Sequence, residues 1–185
     1  MKVYSHYNII FNTYPVQELI CAKGADGEVF KSGDNIIKFV VISDTKKNAT
    51  DHFMINKRKI QFIMDKNPKH FVKVFDFGLV SIIENERYNI VYYYLMESLN
   101  KISDDEKKLF HTILSHEDSN KVKRLNCEDT INELYKFLDF DKEKVIQFIN
   151  SIKNSKIHQL DCHPRNIMKD KFGSFKFIDL ERLKL

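Results

Sequence analysis

The sequence predicts an α+β protein in two parts: a β-rich front with one helix, then a helical back that carries a small hairpin. Three observations predict it. The front holds short runs rich in Val, Ile, Phe and Tyr, each bounded by turn residues. Among them, residues 50–65 place Phe53, Met54, Ile60, Ile63 and Met64 on one side at helical spacing. After Leu99 the apolar residues recur at helical spacing instead, broken only near the end by a loop and a hairpin pattern.

The elements follow in order. Segments at about 16–23 and 28–31 flank a short loop that holds Gly24 and Gly27, two of only five glycines. Ser32-Gly33-Asp34-Asn35 is turn chemistry, and Ile36 to Ile42 is the next strand. The helix at 50–65 stops before Pro68. Phe71 to Ile83 and Arg87 to Met96 read as a strand pair, with Asp76-Phe77-Gly78 and Glu84-Asn85-Glu86 as turn candidates. Ser103-Asp-Asp-Glu106 is a capping box, and the helix it opens carries Leu109, Phe110, Ile113 and Leu114. Residues 128–138 read as a second helix of this half. Asp141 caps a third, with Val145, Phe148, Ile149 and Ile152 on one face. Leu160 to Asn166 is a loop. Ile167 to Lys169 and Ser174 to Asp179 form a hairpin around Asp170-Lys-Phe-Gly173.

The bulk composition bounds the function. A chain of 185 residues suits one domain, or two small lobes at 1–97 and 98–185. Apolar residues make up 43% and charged residues 30%, the balance of a soluble globular protein. The net charge of +4 is dispersed, with Lys scattered among Asp and Glu, so there is no basic stripe for nucleic acid. Cys21, Cys127 and Cys162 are far apart and form no C-x-x-C pair, which argues against a zinc site or disulfide framework and for a reducing compartment. The first residues lack a long apolar run, and no later run approaches a membrane span. The expected location is therefore cytoplasmic or nuclear, away from membranes.

The most informative stretch is Asp161-Cys-His-Pro-Arg-Asn166 followed by Phe177-Ile-Asp179. An Asp, an Asn five residues on, and a second Asp thirteen beyond that resemble the D-x-x-x-x-N catalytic loop and the metal-binding D-F-G of the protein-kinase-like superfamily. Phosphoryl transfer needs a carboxylate beside the attacking hydroxyl and hard oxygen ligands for Mg²⁺. The resemblance implies that Asp161 is the base and that Asn166 and Asp179 hold the metal. The front half adds to it. Gly24-Ala-Asp-Gly27-Glu-Val29 resembles the end of the glycine-rich phosphate loop, with Ala22 where the family has its first glycine; by itself it is equally an ordinary hairpin turn. Nine residues after Val29, Lys38 matches the lysine that meets the α- and β-phosphates of ATP. Tyr94-Leu-Met96-Glu97-Ser-Leu99 resembles the hinge that receives adenine, with Met96 as gatekeeper and backbone groups of Glu97 and Leu99 facing the base. The implied fold is a two-lobe kinase-like one with a reduced helical second lobe.

Asp161-Cys-His163-Pro164 and Asp179-Leu-Glu181 are most similar to the aminoglycoside and choline kinase branch. His163 is either a charge-stabilising group or a structural histidine, and Glu181 either assists the metal or closes the segment. Two departures stand out. The front helix has no glutamate, and the partner expected for Lys38 falls near Asn56 or Lys57, with Asp51 as a substitute. Only six residues follow Asp179, where kinases continue into substrate-binding helices. Such a minimal or truncated form also occurs in viruses, and the Lys-, Asn-, Ile- and Phe-rich composition fits an AT-rich genome. Val74-Phe75-Asp76-Phe77-Gly78 contains a literal D-F-G, but it precedes the catalytic loop and is read as a turn rather than a metal site. Two functions follow. One is an active ATP- and Mg²⁺-dependent phosphotransferase acting on a protein or small-molecule hydroxyl. The other is a non-catalytic kinase-like mimic that regulates a partner kinase or forms a homodimer through an apolar face of its second lobe.

Overall fold

The computed structural model describes residues 13–15, 17–24, 27–84, 88–114, 127–155, 158–159 and 161–185. The chain divides into two compact units, Met1–Asn67 with Lys73–Ser98, and Pro68–Val72 with Leu99–Leu185.

The first unit is an antiparallel sheet with one helix. Its strands are β1 (Glu18–Gly24), β2 (Gly27–Ser32), β3 (Asn35–Asp44), β4 (Val74–Glu84) and β5 (Tyr88–Glu97), in the order β1-β2-β3-β5-β4. The β2–β3 hairpin closes on Gly33-Asp34 between the paired Ser32 and Asn35, and Gly33 takes a φ of 58°, as a tight two-residue turn requires. β3 and β5 then run in unbroken register from Asn35↔Glu97 to Asp44↔Tyr88. Side chains directly opposite on paired strands share a face. One face therefore carries the row Val29, Lys38, Tyr94 and Phe77. The other carries Phe30, Ile37, Phe39, Val91, Tyr93 and Leu95, with Tyr14 and Val80 packed against them.

The helix α1 (Lys46–Lys66) lies on the first of these faces. It begins earlier than the apolar pattern suggests because Thr45 accepts from the Asn48 N–H and caps it. Asn67 ends it in the left-handed conformation at φ 43°, its N–H on the Ile63 carbonyl, immediately before Pro68. Ile60 and Ile63 are fully buried, each contributing about 1.5–3 kcal/mol over an exposed position. Phe53 stacks on Phe77 at 6.0 Å and tilts against Tyr92 at 5.6 Å.

The second unit holds β6 (Asn100–Lys101), α2 (Asp104–Leu114), α3 (Cys127–Leu134), α4 (Lys142–Lys153), β7 (His158–Gln159), a 3-10 turn (Pro164–Asn166), β8 (Ile167–Lys169), β9 (Phe175–Phe177) and β10 (Leu183–Lys184). β6, β8 and β9 form one small sheet in that order, and β7 pairs with β10. The capping box closes as expected: Glu106 Oε2 accepts the Ser103 N–H at 2.8 Å and Ser103 Oγ accepts the Glu106 N–H at 3.2 Å. Asp141 Oδ1 accepts the Lys144 N–H and caps α4. The core is aromatic: Phe110, Phe148, Phe175 and Phe177 meet with ring centroids 4.9–5.9 Å apart. Phe71 joins them at 5.7 Å from Phe177, which is why residues 68–72 belong to this unit.

Two sequence expectations change. Asp76-Phe77-Gly78 is not a turn; it lies inside β4, whose N–H and C=O groups pair with β5. Of the second turn candidate, Asn85 and Glu86 lie outside the described residues. The helix expected over 128–138 ends at Leu134 and continues as a hydrogen-bonded turn to Leu138. There the chain turns so that Phe140 buries against Tyr135 at 5.5 Å, and Asp105 Oδ2 takes the Asp139 N–H at 3.1 Å. Among the described residues no helix is long and apolar enough to cross a membrane.

Candidate active site

In the second unit, short strands frame the loop 161–166 on both sides. β7 enters it, β8 leaves it, and β10 returns to pair with β7 through Leu183↔Gln159 and Lys184↔His158. The hairpin β8–β9 turns on Asp170, whose Oδ1 accepts from the N–H groups of Phe172 and Ser174, with Gly173 at φ 80°. β9 then delivers the chain to Asp179. Cys162 and Pro164 within the loop, and Ile167 just after it, are buried.

Asn166 joins the parts. Its side-chain Nδ2 donates to the Asp161 carbonyl at 3.2 Å, and its own carbonyl accepts the Ile178 N–H at 3.0 Å. One asparagine thus ties the loop carrying Asp161 to the residue preceding Asp179. With its amide nitrogen donating in this way, the side-chain oxygen is the acceptor atom of the group. Asp179 is half-buried, and its Oδ1 atom is shielded from solvent. Glu181 is also half-buried, in the turn at 181–182.

Asp161 is partly exposed, and the Arg165 guanidinium stands 3.8 Å from its Oδ2. The Arg165 side chain is 73% exposed, so this ion pair contributes little and leaves the carboxylate able to turn. Arg165 was not singled out from the sequence, although its place four residues after Asp161 was a signal. His163 accepts the Arg165 N–H on Nδ1 at 3.1 Å and so caps the 3-10 turn. That bond requires an unprotonated Nδ1 and puts the ring hydrogen of the neutral form on Nε2. The structure therefore gives His163 a capping role. His111, in the last turn of α2, stands beside it at 6.4 Å.

The remaining candidates, Leu99 excepted, lie in the first unit. Gly24 and Gly27 are paired across the β1–β2 turn. Gly27 has φ 146°, and a Cβ there would stand 1.7 Å from the Phe39 carbonyl oxygen, so close strand packing alone demands glycine. Val29 and Lys38 are direct cross-strand partners. Lys38 is half-buried, with its Nζ 5.7 Å from the Tyr94 ring centre. Asn56, where an acidic partner of Lys38 was expected, donates to the Tyr92 hydroxyl at 3.0 Å. Asp51, the proposed substitute, is exposed on α1. Met96 is buried at the end of β5. Glu97 is committed to Lys73: its N–H donates to the Lys73 carbonyl at 3.0 Å, and its carboxylate accepts the Lys73 N–H at 2.7 Å. Leu99, half-buried, opens the second unit.

The oxygen donors Asn166 and Asp179 suit a hard cation such as Mg²⁺, which takes one or two protein ligands and leaves its other positions to phosphate and water. Among the described residues no group of three or more His, Cys, Asp or Glu side chains forms a metal cage. A surface groove in the same unit, lined by Tyr135, Phe140, Lys142 and Ile146, includes none of the candidate site residues.

No protein-family model matches the chain, and no curated protein matches it. Among solved structures, the co-crystal structure of WbdD with the kinase inhibitor LY294002 is similar at 16% identity and a TM-score of 0.49, over 92% of this chain and 33% of that one. A second WbdD structure gives the same values. A third, described as the bifunctional kinase-methyltransferase WbdD, is similar at 14% identity and a TM-score of 0.46, over 92% and 34%. The chain thus spans about a third of the length of these structures.

Proposed function

We propose that the chain is a kinase-like phosphotransferase that moves the γ-phosphate of ATP to a hydroxyl acceptor with the help of Mg²⁺. The observation that supports this most is the Asn166 bridge, which holds the loop of Asp161 and the segment of Asp179 together in one frame. In this reading the Asn166 side-chain oxygen and the Asp179 carboxylate hold the ion, with Glu181 as a further carboxylate nearby. Bound Mg²⁺ would neutralise charge on the phosphate oxygens. Asp161 orients the acceptor hydroxyl and takes its proton. In this reading Lys38 contacts the phosphates, Gly24, Gly27 and Val29 line the nucleotide, and Met96, Glu97 and Leu99 meet the adenine. At the helix position where kinases carry a glutamate, this chain has Asn56, which donates to the Tyr92 hydroxyl.

The test is calorimetric ATP binding with and without Mg²⁺, on the wild type, Asp179→Asn and Asp161→Ala. The reading expects Mg²⁺-dependent binding that Asp179→Asn loses and Asp161→Ala keeps. A wild-type chain that binds no nucleotide in either condition would turn the assignment toward the non-catalytic partner-binding role.

A further inference from the structure

Lys169 and Glu106 form an ion pair that the fold largely withdraws from water. Lys169 Nζ lies 3.0 Å from Glu106 Oε1 and 2.9 Å from Oε2. The Glu106 side chain is 5% exposed and that of Lys169 27%. Desolvating two charges offsets most of their attraction, so such a pair is explained better by what it holds in place than by net stability. Its carboxylate is fully engaged, since Oε2 also accepts the Ser103 N–H. The Lys169 ammonium in addition lies 5.9 Å from the Phe175 ring centre.

What the pair holds is the strand that follows the candidate metal ligand. Glu106 sits in the first turn of α2, fixed by the capping box. Lys169 is the last residue of β8, three positions after Asn166. β8 has three residues, and its partners β6 and β9 have two and three, so few backbone hydrogen bonds define its register. Farther along, α2 also packs on the 3-10 turn that contains Asn166. The same helix therefore braces the turn and, through Glu106, the far end of β8.

We infer that the Glu106–Lys169 ion pair is a positioning device for the metal-side residues. It sets the register of β8, and so the place where Asn166 presents its oxygen and, through the β8–β9 hairpin, where Asp179 stands. The role in metal binding rests on the phosphotransferase reading above; the role in strand register does not.

The experiment compares wild type, Lys169→Met, Lys169→Arg and Glu106→Gln by two readouts. The first is amide hydrogen exchange in the ligand-free proteins, and the second is calorimetric ATP binding with and without Mg²⁺. In Lys169→Met, residues 167–169 and 175–177 should exchange faster while α4 exchanges as in the wild type. The Mg²⁺-dependent gain in ATP affinity should fall by about tenfold to a hundredfold, with Mg²⁺-free binding unchanged. Lys169→Arg, which keeps the charge, should restore both. Unchanged exchange of β8 together with wild-type Mg²⁺ dependence in Lys169→Met overturns the inference. If the wild type shows no Mg²⁺-dependent binding, the phosphotransferase reading fails by itself, and the exchange readout still decides the register claim. Should Lys169→Met not fold, Glu106→Gln makes the same comparison with the shape and one acceptor oxygen retained.

Discussion

Asp76-Phe77-Gly78 and Asp179-Leu180-Glu181 make an instructive pair, because the first spells the kinase metal motif literally and the second does not. In β4, every letter of the literal motif has a packing task. Asp76 Oδ2 accepts the hydroxyls of Tyr14 and Tyr93, at 2.5 and 2.7 Å, and Oδ1 accepts the Phe77 N–H at 2.8 Å. Phe77 stacks under α1. Gly78 leaves room for the Tyr93 ring, whose Cε1 would lie 2.6 Å from an added Cβ. Near the end of the chain, Asp179 instead follows a residue bonded to Asn166, beside the loop of Asp161. The carboxylate in β4 is occupied by the protein's own hydroxyls. The one after β9 follows Ile178, whose N–H donates to the Asn166 carbonyl. The surroundings of an aspartate follow from the groups that packing brings to it, not from the two letters that follow.

The contrast can be broken in several places. The largest effect is expected at Asp161, where Asp161→Ala should lower phosphoryl transfer by about 10²–10⁴-fold while ATP binding persists. A transfer assay showing full activity in that variant would remove the base from the scheme. Next is Asp179→Asn, which should reduce Mg²⁺-dependent ATP affinity, whereas Asp76→Asn should leave it at the wild-type value. Equal losses in the two variants, measured by calorimetry, would erase the distinction between the two carboxylates. Gly78→Ala should cost about 1–3 kcal/mol in denaturant unfolding, because the buried Tyr93 ring must shift. Its metal dependence should be that of the wild type, and a neutral result would mean that the ring moves freely.

The smallest effect is a pH dependence confined to the Asp76 cluster. Burial by itself would raise the Asp76 carboxyl, but hydrogen bonds from Tyr14, Tyr93 and the Phe77 N–H outweigh it and hold it below the usual aspartate value. A depressed carboxyl stabilises the fold above its unfolded pKa of about 4, and that contribution is lost as pH falls through the folded value. Tyr93 moves the other way, raised by burial and then by its bond to Asp76 and that carboxylate's charge. Tyr14 is raised first by its bond to Asp76, then by burial. Their contribution is present below about pH 10, the unfolded tyrosine value, and is lost as pH rises beyond it. The stability gap between wild type and Asp76→Ala should therefore be flat from about pH 5 to 9 and narrow at both ends. Unfolding curves with a pH-independent gap would contradict the hydrogen-bonded triad.

Much of the fold was legible because local chemistry announced it. The Gly33-Asp34 turn, the Ser103–Glu106 capping box, the Asp141 cap and the Asp170–Gly173 hairpin all formed where the residues placed them. Glycine misled in β4, where Asp and Gly look like turn residues but answer to a tyrosine on the neighbouring strand. In the same way Glu106 was legible as a cap but not as the partner of Lys169, and Asn56 as a missing glutamate but not as the donor to Tyr92. Each of those partnerships spans dozens of residues and depends on strand register.

The sequence by itself determined the order of strands and helices, the turns and caps, and the spacing of Asp161, Asn166 and Asp179. These depend on periodicity and on hydrogen bonds between near neighbours, which the residues carry with them. Only the tertiary structure decided which groups surround each carboxylate. Asp76 and Asp179 have the same side chain, and their difference lies in groups brought from far along the chain: Tyr14 and Tyr93 to the one, and Asn166 to the segment that carries the other. A carboxylate's chemistry is set by the donors within hydrogen-bond reach, and the packing of the whole unit chooses those donors.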